Sequence, residues 1–186
     1  MLGAIIGDIV GSRWEFNPTN DYDFEMFSQE NSFTDDTVCT VAVADAIAKG
    51  RDYGESIHEW CRRYPSPMGG YGGRFRQWVM SDDPKPYGSF GSGSAMRVSP
   101  VAWHFNTAED VLREARLTAE CTHNHPEGIR GAEATTLAIS LGADADTLGA
   151  IVGSIAEARW VIPDAIRQKV MEYLPEEMQN VILSMK

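Results

Sequence analysis

The 186-residue chain has little cysteine, a shortage of positive charge and no long apolar run. Cys39, Cys61 and Cys121 are odd in number, widely spaced and form no CxxC pair. That pattern excludes a disulfide framework and a cysteine-ligated zinc site, and it predicts reduced thiols in a cytoplasmic protein. Lys and Arg total 16 against 27 Asp and Glu, a formal net charge of -11. Non-specific nucleic-acid binding needs a cationic footprint, so that class is excluded. A nucleotide held in a local pocket is not. The opening stretch Met1-Leu2-Gly3-Ala4-Ile5-Ile6-Gly7-Asp8 has no basic leader, and Asp8 interrupts its apolar run. Neither a signal peptide nor a membrane span is expected. Sustained apolar–polar alternation is also missing, so no strand is expected.

What is present is the composition of an ordinary globular domain, 43% hydrophobic and 23% charged. The length predicts one domain over residues 1–186. Helical signals fill it, and the expected fold is all-α, with short to medium helices packed closely through small residues. Residues 2 to about 14 read as a buried helix in which Gly3, Gly7 and Gly11 share one face. Each glycine costs a helix roughly 1 kcal/mol against alanine, so the stripe predicts a second backbone at close range. Thr34 to Lys49 reads as a slim, alanine-rich helix stopped by Gly50. Further helices are expected at about 54–63, 74–80, 95–103, 107–122, 126–141, 144–160 and 163–174, with a last one after Pro175. The polar segment 17–32 reads as a surface loop able to lie over a site.

Two acidic clusters stand at helix starts: Thr34-Asp35-Asp36-Thr37 and Asp144-Ala145-Asp146-Thr147. Carboxylates suit a helix N-terminus, where free N–H groups and the dipole favour negative charge. One side-chain oxygen per helix normally suffices as a cap. Four carboxylates at two helix mouths therefore leave two readings open. Each pair caps its own helix, or the mouths face each other and share a cation. An all-oxygen set of Asp35, Asp36, Asp144 and Asp146, with Thr34 and Thr147 adding neutral oxygens, suits Mg²⁺, Mn²⁺ or Ca²⁺ rather than zinc. Two glycine-rich loops, Gly69-Gly70-Tyr71-Gly72-Gly73 and Gly91-Ser92-Gly93-Ser94, let backbone amides approach a ligand. The second precedes the 95–103 helix and reads either as a plain turn or as a phosphate or ribose cradle. His123 and His125 lack metal-ligand helical spacing.

Six segments, taken together and in order, resemble the ADP-ribosylglycohydrolase family. They are Gly3-Ala4-Ile5-Ile6-Gly7-Asp8 through Glu15-Phe16, Phe33-Thr34-Asp35-Asp36-Thr37, Gly69 to Gly73, Phe90-Gly91-Ser92-Gly93-Ser94-Ala95-Met96-Arg97, Thr122-His123-Asn124-His125-Pro126, and Gly142-Ala143-Asp144-Ala145-Asp146-Thr147. The resemblance implies a compact orthogonal bundle of helices with a two-Mg²⁺ centre, in which Mn²⁺ suits the same donors. It implies metal ligation by Thr34, Asp35, Asp36, Asp144, Asp146 and Thr147. It implies catalytic roles for Glu15, Asp35 and Asp146, Glu15 contacting or gating the metal site. It implies an ADP-ribose pocket lined by Gly72, Gly73, Gly91, Ser92, Gly93, Ser94, Met96 and His123. The implied reaction is hydrolysis of the bond at the anomeric carbon of ADP-ribose, freeing a modified side chain or a small adduct.

Three departures qualify the match. Ala143 stands where the family usually has glycine, and Ser92 stands where it usually has asparagine. The chain also runs from Gly131–Ile139 straight into Ser140-Leu141-Gly142-Ala143-Asp144, where the family has several intervening helices. Loss of that block predicts an exposed apolar face and self-association, with the C-terminal helices exchanging across residues 140–143. It also keeps a second reading open: a shortened relative that binds metal or ADP-ribose, or serves a structural role, without turnover.

Overall fold

A helix that is apolar around its whole circumference is stable only when surrounded, and the segment after Thr34 is of that kind. In the computed structural model, which describes residues 1–18, 23–133, 150, 153–154 and 162–185, the architecture is all-helical. Helix α1 spans Leu2–Gly11 and continues as a 3-10 turn, Ser12–Trp14. Then come α2 (Asp35–Lys49), α3 (Tyr53–Arg63) and α4 (Gly73–Met80). They are followed by α5 (Gly93–Met96), α6 (Ser99–His104), α7 (Ala108–Glu120) and α8 (Pro126–Glu133). Near the C-terminus lie α9 (Asp164–Met171) and α10 (Glu176–Ser184). Among the described residues there is no strand, only one parallel bridge between Thr34 and Met68. No helix among them is long and apolar enough to cross a membrane.

Helix α2 is the centre of the fold. Val38, Cys39, Val41, Ala42, Val43 and Ala44 have no exposed surface. Each buried valine stabilises the fold by roughly 1.5–3 kcal/mol. Helices α1, α3, α5, α6 and α10 all pack on it. The alanines keep it slim enough for side chains to bond its backbone, and Ser56 Oγ donates to the Ala42 carbonyl at 2.7 Å. Gly50 ends α2 in the left-handed conformation, φ 61°, as a C-terminal glycine should. On α10, Met178 and Ile182 are buried, and Arg63 holds Glu177 at 2.5 Å, so this helix is seated on α3 and α2 of its own chain.

The local helix signals mostly hold. Thr34 caps α2 and Thr107 caps α7, accepting from the Asp36 and Asp110 amides. The Thr107 hydroxyl also donates to the Asp110 carboxylate at 2.6 Å, a reciprocal cap. The expected close backbone approach is present at Gly3, because a Cβ on Gly153 would lie 2.7 Å from the Gly3 carbonyl carbon.

Two expectations are corrected. The first helix is not regular to residue 14. Asn31 Nδ2 takes the Ile9 and Val10 carbonyls at 2.7 and 3.2 Å, and the chain tightens into the 3-10 turn. The single helix expected over 95–103 is two helices broken at Arg97 and Val98. Pro100 has no N–H for the Met96 carbonyl four residues back. That carbonyl instead accepts from Thr40 Oγ1 at 3.4 Å, while Arg97 turns into the interior. Of the expected 126–141 helix, the part beyond residue 133 lies outside the described residues. So does most of the 144–160 helix, from which Ala150, Gly153 and Ser154 are described and helical.

Candidate active site

The mouth of α2 is organised from behind by Asp8. This residue is 1% exposed in the middle of α1. Its carboxylate accepts from the Thr34 amide at 3.0 Å, the Thr34 hydroxyl at 2.6 Å and the Thr37 amide at 3.2 Å, and also from the Thr37 hydroxyl. A second helix thus supplies the cap that orphan N–H groups require. Thr34 Oγ1 is bound on both sides, donating to Asp8 and accepting from the Asp36 amide at 3.2 Å. Asp8 and Thr34 together fix the direction in which Asp35 and Asp36 leave the helix.

Asp35 and Asp36 lie on the wall of a cleft of about 470 Å³, within the roughly 300–1,000 Å³ usual for small-ligand sites. The opposite parts of that wall come from far along the chain. Glu15 and the loop Gly69 to Gly73 form one side. The Thr34–Met68 bridge draws this loop against the start of α2. Gly69 is necessarily glycine, for its φ is 76° and a Cβ there would fall on the Glu15 carboxyl group, 2.6 Å from its carbon. The Glu15 carboxylate therefore rests directly over the Gly69 backbone.

The other side is the loop 87–93 with Met96, Arg97 and His123. This loop is tied to the Thr122-His123-Asn124 turn. The Tyr87 and Ser89 amides donate to the Thr122 carbonyl at 3.3 and 3.4 Å, and the Gly88 amide donates to Asn124 Oδ1 at 2.7 Å. Gly128 allows the approach of α8, since a Cβ there would lie 2.6 Å from the Ser89 carbonyl. His123 is 4% exposed. Burial, and secondarily the Arg97 charge, push its pKa down to about 3, so the ring is neutral at physiological pH. Arg74 closes the rim by stacking over Tyr87 at 4.9 Å and donating to its carbonyl.

Of the residues singled out by sequence, Glu15, Asp35, Asp36, Gly72, Gly73, Gly91, Ser92, Gly93, Met96 and His123 all border this one cleft. Ser94 is placed differently: it is buried, and its hydroxyl donates to the Gly128 carbonyl at 2.7 Å. The helix that the Gly91-Ser92-Gly93-Ser94 loop leads into, α5, is only four residues long and carries no appreciable dipole, so any approach of this loop to a ligand rests on its main-chain amides. Thr34 sits beneath the wall rather than on it. Asp144, Asp146 and Thr147, and the 140–143 connection, lie outside the described residues. Among the described residues no group of three or more His, Cys, Asp or Glu is placed to hold a metal. Asp35 and Asp36 nonetheless provide hard oxygen donors, the chemistry that a Mg²⁺-type ion prefers.

Sequence reasoning missed Tyr71, Arg74, Phe75, Tyr87, Ser89 and Arg97 as cleft residues. Arg97 had a readable signal, a charge inside an apolar helical segment. Tyr87 sits in a Gly/Pro loop with no period to betray its direction.

The fold and cleft define an all-helical domain with acidic residues at one mouth of a glycine-walled pocket. The chain belongs to the ADP-ribosylglycohydrolase family, whose model matches residues 1–141. It is similar to ADP-ribosylhydrolase ARH3 of Homo sapiens, 27% identical over 174 residues that cover 76% of this chain and 48% of that protein. The Mus musculus ARH3 is 26% identical over 174 residues, covering 76% and 47%. The Gallus gallus ARH3 is 31% identical over 127 residues, covering 59% and 35%. The chain spans about half the length of the curated relatives it matches.

Proposed function

We propose that this protein hydrolyses the glycosidic bond between ADP-ribose and a modified side chain or small adduct, with the help of a divalent cation. The observation that carries this reading is the convergence of Glu15, Asp35, Asp36, both glycine loops and His123 on one cleft, although they span more than a hundred positions. Family membership and the similarity to the ADP-ribosylhydrolases ARH3 support the same chemistry.

The chain's own groups divide the work. Glycines at 72, 73, 91 and 93 let main-chain amides come close to a diphosphate, with no Cβ in the way. His123 is neutral and adds no charge to the wall. Glu15 is the candidate base: its carboxylate oxygen takes a proton from water as that water bonds to the anomeric carbon. The bond to the leaving group breaks at the same centre, and its electron pair leaves with the departing atom. Carboxylates nearby stabilise the positive charge that builds on the sugar, as in other glycoside hydrolysis. Asp35 and Asp36 would hold the cation, with Asp144, Asp146 and Thr147 completing the set that the family resemblance implies. When bound, such a cation supplies Lewis-acid stabilisation at the ribose.

The test is turnover of arginine-linked, serine-linked and acetyl-ester ADP-ribose with Mg²⁺, against Asp35→Asn. We expect turnover of at least one linkage and a loss of about 10²-fold or more in the variant. Absence of both ADP-ribose binding and turnover would overturn the reading. Tight ADP-ribose binding without turnover would replace hydrolysis by a binding role.

A further inference from the structure

One polar chain runs from the wall of the cleft into the interior. Arg97 is 1% exposed, and its charge is met by neutral acceptors. Nη2 donates to the Thr118 carbonyl at 2.6 Å and to Thr122 Oγ1 at 2.8 Å, with Cys121 Sγ farther off at 3.6 Å. Thr122 Oγ1 in turn lies 2.7 Å from His123 Nδ1. A buried cation held this way is costly, which asks what it does there.

The proton logic gives an answer. A guanidinium only donates, so the Thr122 hydroxyl accepts from it. A hydroxyl polarised by a cationic donor is a stronger donor in its turn. Its own proton then points to the nearest acceptor, Nδ1 of His123. The opposite edge of the ring is held by packing, for a Cβ on Gly93 would meet both Cε1 and Nε2 at 3.0 Å. Turning the ring over would set a C–H against the Thr122 hydroxyl and forfeit that bond.

We propose that Arg97 is a positioning residue: through Thr122 it assigns the His123 proton to Nε2, so that the ring offers an N–H donor to an acceptor atom of the ligand. The depressed pKa of His123 agrees with a neutral ring, which has a tautomer to assign. The tautomer half of the statement stands on the fold alone. The ligand half rests on the ADP-ribose reading above.

Long-range ¹H–¹⁵N spectra of histidine-labelled protein read the tautomer directly, with His123→Gln picking the ring out from the other three histidines. The wild type should show a pyridine-like Nδ1 and a pyrrole-like Nε2. Thr122→Val removes the relay at nearly constant volume. It should raise the Nδ1–H population and weaken ADP-ribose binding about five- to tenfold, the loss of one hydrogen bond. Thr122→Ser should restore both. Arg97→Met should give the same tautomer shift as Thr122→Val, and if it fails to fold the Thr122 pair decides. An Nδ1–H ring in the wild type, or a Thr122→Val protein with unchanged tautomer and affinity, would overturn the proposal. An Nε2–H ring that responds as expected in a protein that does not bind ADP-ribose would leave Arg97 its role and remove the substrate reading instead.

Discussion

Gly69→Ala separates the backbone from the chemistry of this cleft. Gly69 and Gly50 both have left-handed backbones, with φ of 76° and 61°. Alanine at either position costs about 1–2 kcal/mol, or roughly 2–8 °C in melting temperature for a chain of this size. The two sites differ in what the new methyl meets. At Gly50 nothing lies within 4 Å. At Gly69 the methyl falls on the Glu15 carboxyl group. A carboxyl at the end of a flexible side chain swings aside at small cost in stability, so the two variants should melt within about 3 °C of each other. Their activities should part. Gly50→Ala should turn over substrate like the wild type, while Gly69→Ala should lose on the order of 10²-fold in kcat/KM, the same loss expected of Glu15→Ala under the proposed role of Glu15 as base. The double variant Glu15→Ala/Gly69→Ala should be no worse than Glu15→Ala, because both changes remove the same carboxylate. Wild-type turnover in Gly69→Ala, or additive losses in the double variant, would refute the placement of Glu15.

Other outcomes follow from the same geometry. Asp8→Ala leaves four buried donors of Thr34 and Thr37 without their acceptor; it should cost about 3–5 kcal/mol in urea unfolding, and a loss under 1 kcal/mol would contradict the cross-helix cap. His123 is held near pKa 3 when folded, against 6.5 ordinarily, so the unfolded chain binds the extra proton between those values. Its stabilising contribution is whole above about pH 6.5 and falls by about 1.4 kcal/mol per unit as the pH drops toward 3. Urea titrations at two pH values within that window should show a steeper loss of stability toward low pH in the wild type than in His123→Gln, the difference being the part due to His123. Self-association, expected from the shortened sequence, predicts a dimer or larger species in size-exclusion chromatography with light scattering, and a clean monomer at micromolar concentration would sink it.

Where each helix begins and ends was largely legible from residues within four positions. Thr34 and Thr107 cap, Gly50 stops, and the prolines at 126, 163 and 175 stand at helix starts, because capping satisfies orphan N–H and C=O groups locally. The acidic pair at 35–36 and the glycine loops were visible as candidates for the same reason of local chemistry. The role of Asp8 was not, since a carboxylate in one helix that caps another is settled only by their packing. Nor was the break at Arg97, where a missing Pro100 amide and a Thr40 hydroxyl from another helix act together. Family membership could be read along the chain from the order of its motifs. Helices α1, α3, α5, α6 and α10 pack around α2 to bury its apolar middle, and the 15, 69–73, 87–97 and 123 segments meet in the cleft at its N-terminus. That packing is a long-range demand of apolar burial, and no local pattern encodes which loops will meet beside it.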